Sequence, residues 1–155
     1  MTIRAAAEAD WPRILELADI SVPFDHSGNR EWLSNRQELN TDRFRQIQYV
    51  SPASGQIDAF CCAEEGPEPG HFRLFAVMAD ADLDMPVATR LMQTLYEDLA
   101  ALSATRVWTR EDGRQLAIFR FFERLGLRES RRFEWENCEL VIMHMDLDPQ
   151  TSSDR

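Results

Sequence analysis

The stretch from His71 to Thr109 limits what this chain can fold into more than any other. Phe72, Leu74 and Ala76 alternate with Arg73, Phe75 and Val77, the period of a strand with two different faces. An acidic loop, Ala79 to Met85, follows. Pro86 then stands near the start of a long helix whose apolar positions Val87, Leu91, Leu95, Leu99 and Leu102 keep one face buried. Arg106 to Thr109 is a brief second strand. Two strands joined by such a helix pair in parallel, and the crossover between them is right-handed.

The flanking segments extend this unit into a larger sheet. Thr2 to Ala6 can open a sheet. Asp10 reads as a helix N-cap, and Trp11, Ile14, Leu15 and Ala18 then repeat as one apolar face until Pro23. Asn29 to Leu39 reads as a second helix anchored by Trp32 and Leu33. From Phe44, the residues Phe44, Gln46, Gln48 and Val50 face one way and Arg45, Ile47 and Tyr49 the other. After a turn over 51–55, a strand runs from Gln56 to Glu64, so the two form a hairpin.

Gly66 to Gly70 is a break. Asp112 or Gly113 caps a later helix striped by Ala117, Ile118, Phe121, Phe122 and Leu125, and Gly126 ends it in the C′ position. Leu127 to Trp135 and Leu140 to Met145 are the last strands. The order β-α-α-β-β-β-α-β-α-β-β describes one domain over residues 1–147, with a flexible polar tail over 148–155.

Composition removes several function classes. All 17 basic residues are arginine, against 27 acids, for a net charge of −10. That balance argues against nucleic acid and anionic membrane as partners. Without lysine there is no Schiff base and no Walker-type phosphate lysine. Cys61, Cys62 and Cys138 have no metal-ligand spacing and read as buried, reduced thiols. The first residues carry Arg4, Glu8, Asp10 and Arg13 without an apolar run, so no signal peptide is expected, and a cytoplasmic location is.

With these elements in place, the chain resembles the GNAT superfamily of acyl-CoA-dependent N-acyltransferases over about residues 2–147. Ala117 to Leu127 (AIFRFFERLGL) resembles the A-x-x-F-Y-E-x-x-G-F segment on the last helix of that family. Phe72 to Val77 followed by Met85 to Met92 lies where the family places its pyrophosphate-binding strand, loop and helix, and the opening Thr2 to Ala6 with Asp10-Trp11 is also typical. The resemblance implies an α/β (α+β) fold: a mixed, mostly antiparallel sheet of about six to seven strands flanked by about four helices. It implies acetyl-CoA or another acyl-CoA as donor, a small-molecule amine as acceptor and no metal. A homodimer is compatible with it.

The resemblance also implies positions for a site. Phe75, Ala76 and Val77 would lie along the donor, and Val87, Ala88, Thr89 and Arg90 at its pyrophosphate. The chain departs from the family at two places. The loop before the long helix holds Asp80, Asp82 and Asp84, has no glycine, and loses one N–H donor to Pro86. The triplet also imitates the start of a calcium loop, without the glycine and the final glutamate that such a loop needs. Phe122 stands where the family commonly has a tyrosine that protonates the departing thiolate, so the proton donor is missing.

Tyr49 is then the substitute acid, because its strand often faces the acceptor in the family. Tyr96 reads as packing. His26, beside Asp25, and Glu64, beside Glu65, are the candidate bases, while His71 and His144 read as strand residues. From Asp58 to Asp98 nine acids face two arginines, whereas from Arg106 to Arg132 eight arginines face four acids. Arg110 and Arg114, at the mouth between strand and helix, could therefore hold an anion, or they could pair within the chain. Two functions stay open: an N-acyltransferase, or a catalytically inactive GNAT-like domain that binds a ligand or a partner.

Overall fold

The computed structural model describes residues 2–20, 29–36, 40–51, 54–78, 85–114 and 116–147. Its strands are β1 (Thr2–Arg4), β2 (Phe44–Val50), β3 (Ile57–Glu65), β4 (His71–Met78), β5 (Arg106–Asp112), β6 (Arg128–Trp135) and β7 (Cys138–Asp146). Its helices are α1 (Trp11–Ile20), α2 (Asn29–Ser34), α3 (Met85–Ala101) and α4 (Leu116–Arg124). The strands form one sheet in the order β1-β2-β3-β4-β5-β7-β6, and only β4 and β5 are parallel. This is the mixed, mostly antiparallel sheet with four helices that the element order implies.

Alternation divides the sheet into two unequal faces. Ala59, Cys61, Ala63, Phe72, Leu74, Ala76, Val107, Val141 and Met143 point to one face, where α3 supplies Leu91, Met92, Leu95 and Leu99 and α4 supplies Phe119, Phe121, Phe122 and Leu125. On the other face, Phe44, Phe60 and Cys62 meet Trp11, Ile14, Leu17 and Ala18 of α1 and Leu33 of α2. This second cluster contains no residue of β5, β6 or β7. Half of that face therefore has no helix over it among the described residues, and Trp135 there is 60% exposed.

Polar contacts fix the helices to the sheet. Arg45 of β2 clamps Asp98 of α3 with two hydrogen bonds of 2.6 and 2.9 Å. Asp10 accepts from Arg4 Nη1 at 2.8 Å, the Ala7 N–H at 2.7 Å and Gln48 Nε2 at 3.0 Å. The Arg4 bond, with help from Ala7 and Gln48, pulls the Asp10 carboxyl down to about 2. Asp10 thus closes the 3₁₀ turn Glu8–Asp10 backwards, rather than acting as the N-cap of α1.

α4 ends in a Schellman motif, with Leu127 N–H to Phe122 O at 3.0 Å, Gly126 N–H to Glu123 O at 3.0 Å, and Gly126 at φ +100°. A Cβ at Gly126 would lie 2.6 Å from Met145 Sδ. α3 ends in the same pattern, but with Ser103 at φ 65°.

Several boundaries differ from the sequence expectation. α2 ends at Ser34 rather than Leu39, and residues 37–39 lie outside the described residues. β5 runs to Asp112 instead of stopping at Thr109, because β7 pairs with it along its whole length. β7 begins at Cys138 rather than Leu140. Glu136 and Asn137 both take positive φ, 48° and 63°, which makes the two-residue turn of a tight hairpin. A glutamate in such a turn gives no sequence signal for it. The break at Pro23, the acidic loop with Asp80, Asp82 and Asp84, and the tail over 148–155 all lie outside the described residues.

Candidate functional site

The sheet opens where its one parallel pair comes apart. β4 and β5 are in register for three pairs, His71 with Arg106, Phe72 with Val107 and Arg73 with Trp108. The start of the pair is tied by Gly70, whose carbonyl accepts from the N–H groups of Thr105 (2.9 Å) and Arg106 (3.2 Å). Beyond Arg73 and Trp108 the ladder stops, yet β4 continues to Met78 and β5 to Asp112. Among the described residues, the β4 edge from Leu74 onward thus offers N–H and C=O groups with no strand partner on that side. Clefts at the carboxyl ends of diverging parallel strands are where open α/β sheets place ligands.

Around the end of the ladder lies a cluster of aromatic and cationic side chains, all on the face away from α3. Trp32 of α2 stacks on Phe75, centroids 4.9 Å apart and planes at 19°. Arg36 lies 3.9 Å over the Trp32 ring and donates from Nε to Glu64 Oε2 at 2.8 Å. Arg73, the cross-strand neighbour of Glu64, lies 5.6 Å over Trp108. Arg110 follows two residues later on the same face of β5. Burial lowers the pKa of the Arg73 guanidinium and nearby Arg110 lowers it further, against the opposing pull of Glu111.

The residues singled out from sequence fall into separate places. Glu64, Phe75 and Arg110 share the open face with this cluster. Tyr49 is on the opposite face, packed against the α3 side two strands from β4, or roughly 10 Å at ordinary strand spacing. Glu64 and Tyr49 are therefore not brought together. His26 lies outside the described residues. Ala76 and Ala88 are buried in the α3 core, Val87 and Thr89 are half-buried, and Arg90 is exposed in the first turns of α3. Val77 continues β4 towards its end at Met78.

Phe122 is 1% exposed and packs edge-on against Phe121 at 5.3 Å. Tyr96 is held in the core with its hydroxyl on Leu125 O at 3.4 Å, and burial pushes its phenol up. Cys61 and Cys62 are free and fully buried, and burial raises both thiols.

Arg110 and Arg114 do not form one anion site. Arg114 is bound to Asp112, with Nη2 to Oδ2 at 2.8 Å and Nε to Oδ1 at 3.1 Å, and its own N–H also donates to Oδ1 at 2.9 Å. This closes a turn and holds the Asp112 carboxyl well below the usual range. Asp112 therefore caps that turn, not α4. Arg110 instead borders a cavity of about 430 Å³ with Phe133, Trp135 and Leu140.

Sequence reading missed Arg73, Trp108, Trp32 and Arg36 as a group. The available signal was Arg73 itself, a cation inside an apolar strand. Among the described residues no group of three metal-ligating side chains occurs, and no helix is long and apolar enough to cross a membrane.

No protein-family profile and no curated protein matches the chain. Solved structures do. An aminoglycoside 6′-acetyltransferase type Ii superposes with a TM-score of 0.76 at 14% identity, covering 97% of this chain and 99% of its own. The ribosomal-protein-S18-alanine N-acetyltransferase of Escherichia coli gives 0.71 at 17%, over 95% and 94%. A putative acetyltransferase of Salmonella typhimurium, solved with its cofactor acetyl-CoA, gives 0.71 at 16%, over 97% and 96%. Likeness over the whole length at such low identity is a likeness of fold, and this chain has the GNAT fold.

Proposed function

We propose that the chain is an N-acyltransferase that uses an acyl-CoA as donor and an amine as acceptor. The observation that carries this reading is the parting of β4 and β5 after Arg73 and Trp108. The amide-bearing arm of such a donor can lie along the free β4 edge as an added strand, bonded through Leu74 to Met78. A backbone N–H of that edge then faces the thioester oxygen and stabilises the charge that develops when the amine attacks.

Glu64 is the proposed base. It lies on the open face, cross-strand from Arg73, and Arg36 keeps its Oε2 oriented. It takes the proton of the acceptor ammonium, directly or through one water, before attack. Phe122 lacks a hydroxyl, so the leaving thiolate takes its proton from solvent. At the donor's other end, the N-terminus of α3 presents the backbone N–H groups of Val87 and Ala88, and Arg90 adds a cation nearby.

Thermal unfolding with and without acetyl-CoA tests the donor. A ligand at about 100 times its Kd stabilises by about 2.7 kcal/mol. No shift at millimolar acetyl-CoA sinks the reading. Release of free CoA thiol with a panel of amines tests the transfer. The buried Phe122 favours the second reading, a ligand-binding domain without catalysis, whose signature is a thermal shift with no release of thiol on any amine.

A further inference from the structure

We infer that the acceptor is an amine that also carries a carboxylate, held by Arg73 beside the end of the β4–β5 ladder. The inference rests on the acyltransfer reading for the word acceptor, but not for the anion site itself.

Its basis is the charge pairing of the arginines. Nine of the described arginines hold a carboxylate in an ion pair. In a chain with 27 acids against 17 arginines, that is the expected outcome. Arg73 is different. It is half-buried in the centre of the sheet, and among the described residues no carboxylate lies within ion-pair distance of it. Its nearest candidate on that face is Glu64, directly across the β3–β4 ladder, and Arg36 has taken that carboxylate at 2.8 Å. Glu111, on the neighbouring strand, points to the α3 side, where Thr109 Oγ1 donates to it at 2.6 Å.

A cation drawn partly out of water without a counter-ion is costly unless a ligand completes it. Arg110, on the same face and also without an ion pair among the described residues, makes the place more cationic. Arg36 bonds the Glu64 carboxylate, Arg73 stands directly across the ladder from it, and Arg110 lies beyond Arg73 on the next strand.

The geometry suits a small acid. Trp108 lies under the Arg73 guanidinium at 5.6 Å and walls the site on the β5 side. Phe75, backed by Trp32, walls it on the α2 side. A guanidinium offers two parallel N–H groups to a planar carboxylate. With the acid on Arg73, the amine of the same small molecule comes within reach of Glu64 and of the free β4 edge. Proton acceptor and acyl donor thus meet the nitrogen while the carboxylate is held.

Two measurements test this. With acetyl-CoA as donor, kcat/KM is compared between amino acids and their amides, for the wild type, Arg73→Gln and Arg73→Lys. The wild type should favour the acids by about 10- to 100-fold. Arg73→Gln should collapse the acid-to-amide ratio, through KM rather than kcat, and Arg73→Lys should keep part of it. Calorimetric titration without donor then compares N-acetylglycine with its amide, on the wild type and on Arg73→Gln.

Acid binding that depends on Arg73 supports the inference even if no amine is ever acetylated, in which case only the acyltransfer reading fails. Equal use and equal binding of acids and amides by the wild type overturn the inference while leaving acyl transfer standing. That comparison needs no variant to fold. A preference for phosphoethanolamine over β-alanine also overturns it, because the anion would then be a phosphate.

Discussion

The two faces of the sheet do different work. Under α3 and α4, large side chains such as Phe72, Leu91, Leu95 and Phe122 are almost fully removed from water. That face is the larger packed core. The other face is covered by α1 and α2 only as far as β4. At and beyond β4, Arg73, Trp108 and Arg110 have no helix over them among the described residues, beside a broken ladder. The packed side accounts for most of the buried core, and the proposed chemistry lies on the other. Substitutions on the two faces should separate accordingly.

The largest effect expected is chemical. Glu64→Gln should lower kcat/KM for acyl transfer by about 100-fold or more. Its stability cost should stay below about 1 kcal/mol, because the pair with Arg36 is partly solvated. A stability loss well above that, with activity retained, would break the comparison from the open side. Phe122→Ala should do the converse, costing about 3–5 kcal/mol in urea unfolding. A loss below about 1 kcal/mol would show that the α4 face is not the packed one.

Asp10 tests how α1 is seated. Its carboxyl stands at about 2 in the folded chain, against an ordinary value of 3.8. The unfolded chain therefore binds the proton first as pH falls. The stabilisation is complete above about pH 4 and disappears as pH drops towards 2. Asp10→Ala should cost about 1–2 kcal/mol at neutral pH and almost nothing extra near pH 2. Denaturant midpoints measured across that range check the sign.

The smallest effects concern the helix ends. Gly126→Ala should destabilise by about 1–2 kcal/mol, because alanine is strained at that φ. Ser103→Gly should stabilise by up to about 1 kcal/mol, since Ser103 has the same cap conformation with a Cβ. Thermal midpoints would decide both.

Much of the fold was legible because its signals are local. The apolar positions Leu91, Leu95 and Leu99 announced α3, the alternation in Phe72 to Ala76 announced β4, and Gly126 announced the end of α4. The boundaries that shifted depend on partners. β5 extends through Arg110 to Asp112 because β7 lies beside it, and the Glu136-Asn137 turn is set by the register of β6 on β7. The site was legible only in fragments. Glu64 and Phe75 were marked, but nothing local says that they share a face with Arg73 and Trp108, or that Tyr49 lies on the other. For Arg114 the sequence left an anion site and pairing within the chain both open, because its partner Asp112 acts through a turn that needs the folded backbone.

By itself the sequence determined the element order, the parallel crossover, the apolar stripes and the missing hydroxyl at position 122. These follow from periodicity and side-chain chemistry, which act within a few residues. Only the tertiary structure decided where the ladder between β4 and β5 stops, and which arginines keep a counter-ion. Both depend on groups far apart in the chain. Arg36 reaches Glu64 across 28 positions, and Arg73, directly across from Glu64, has no carboxylate partner among the described residues.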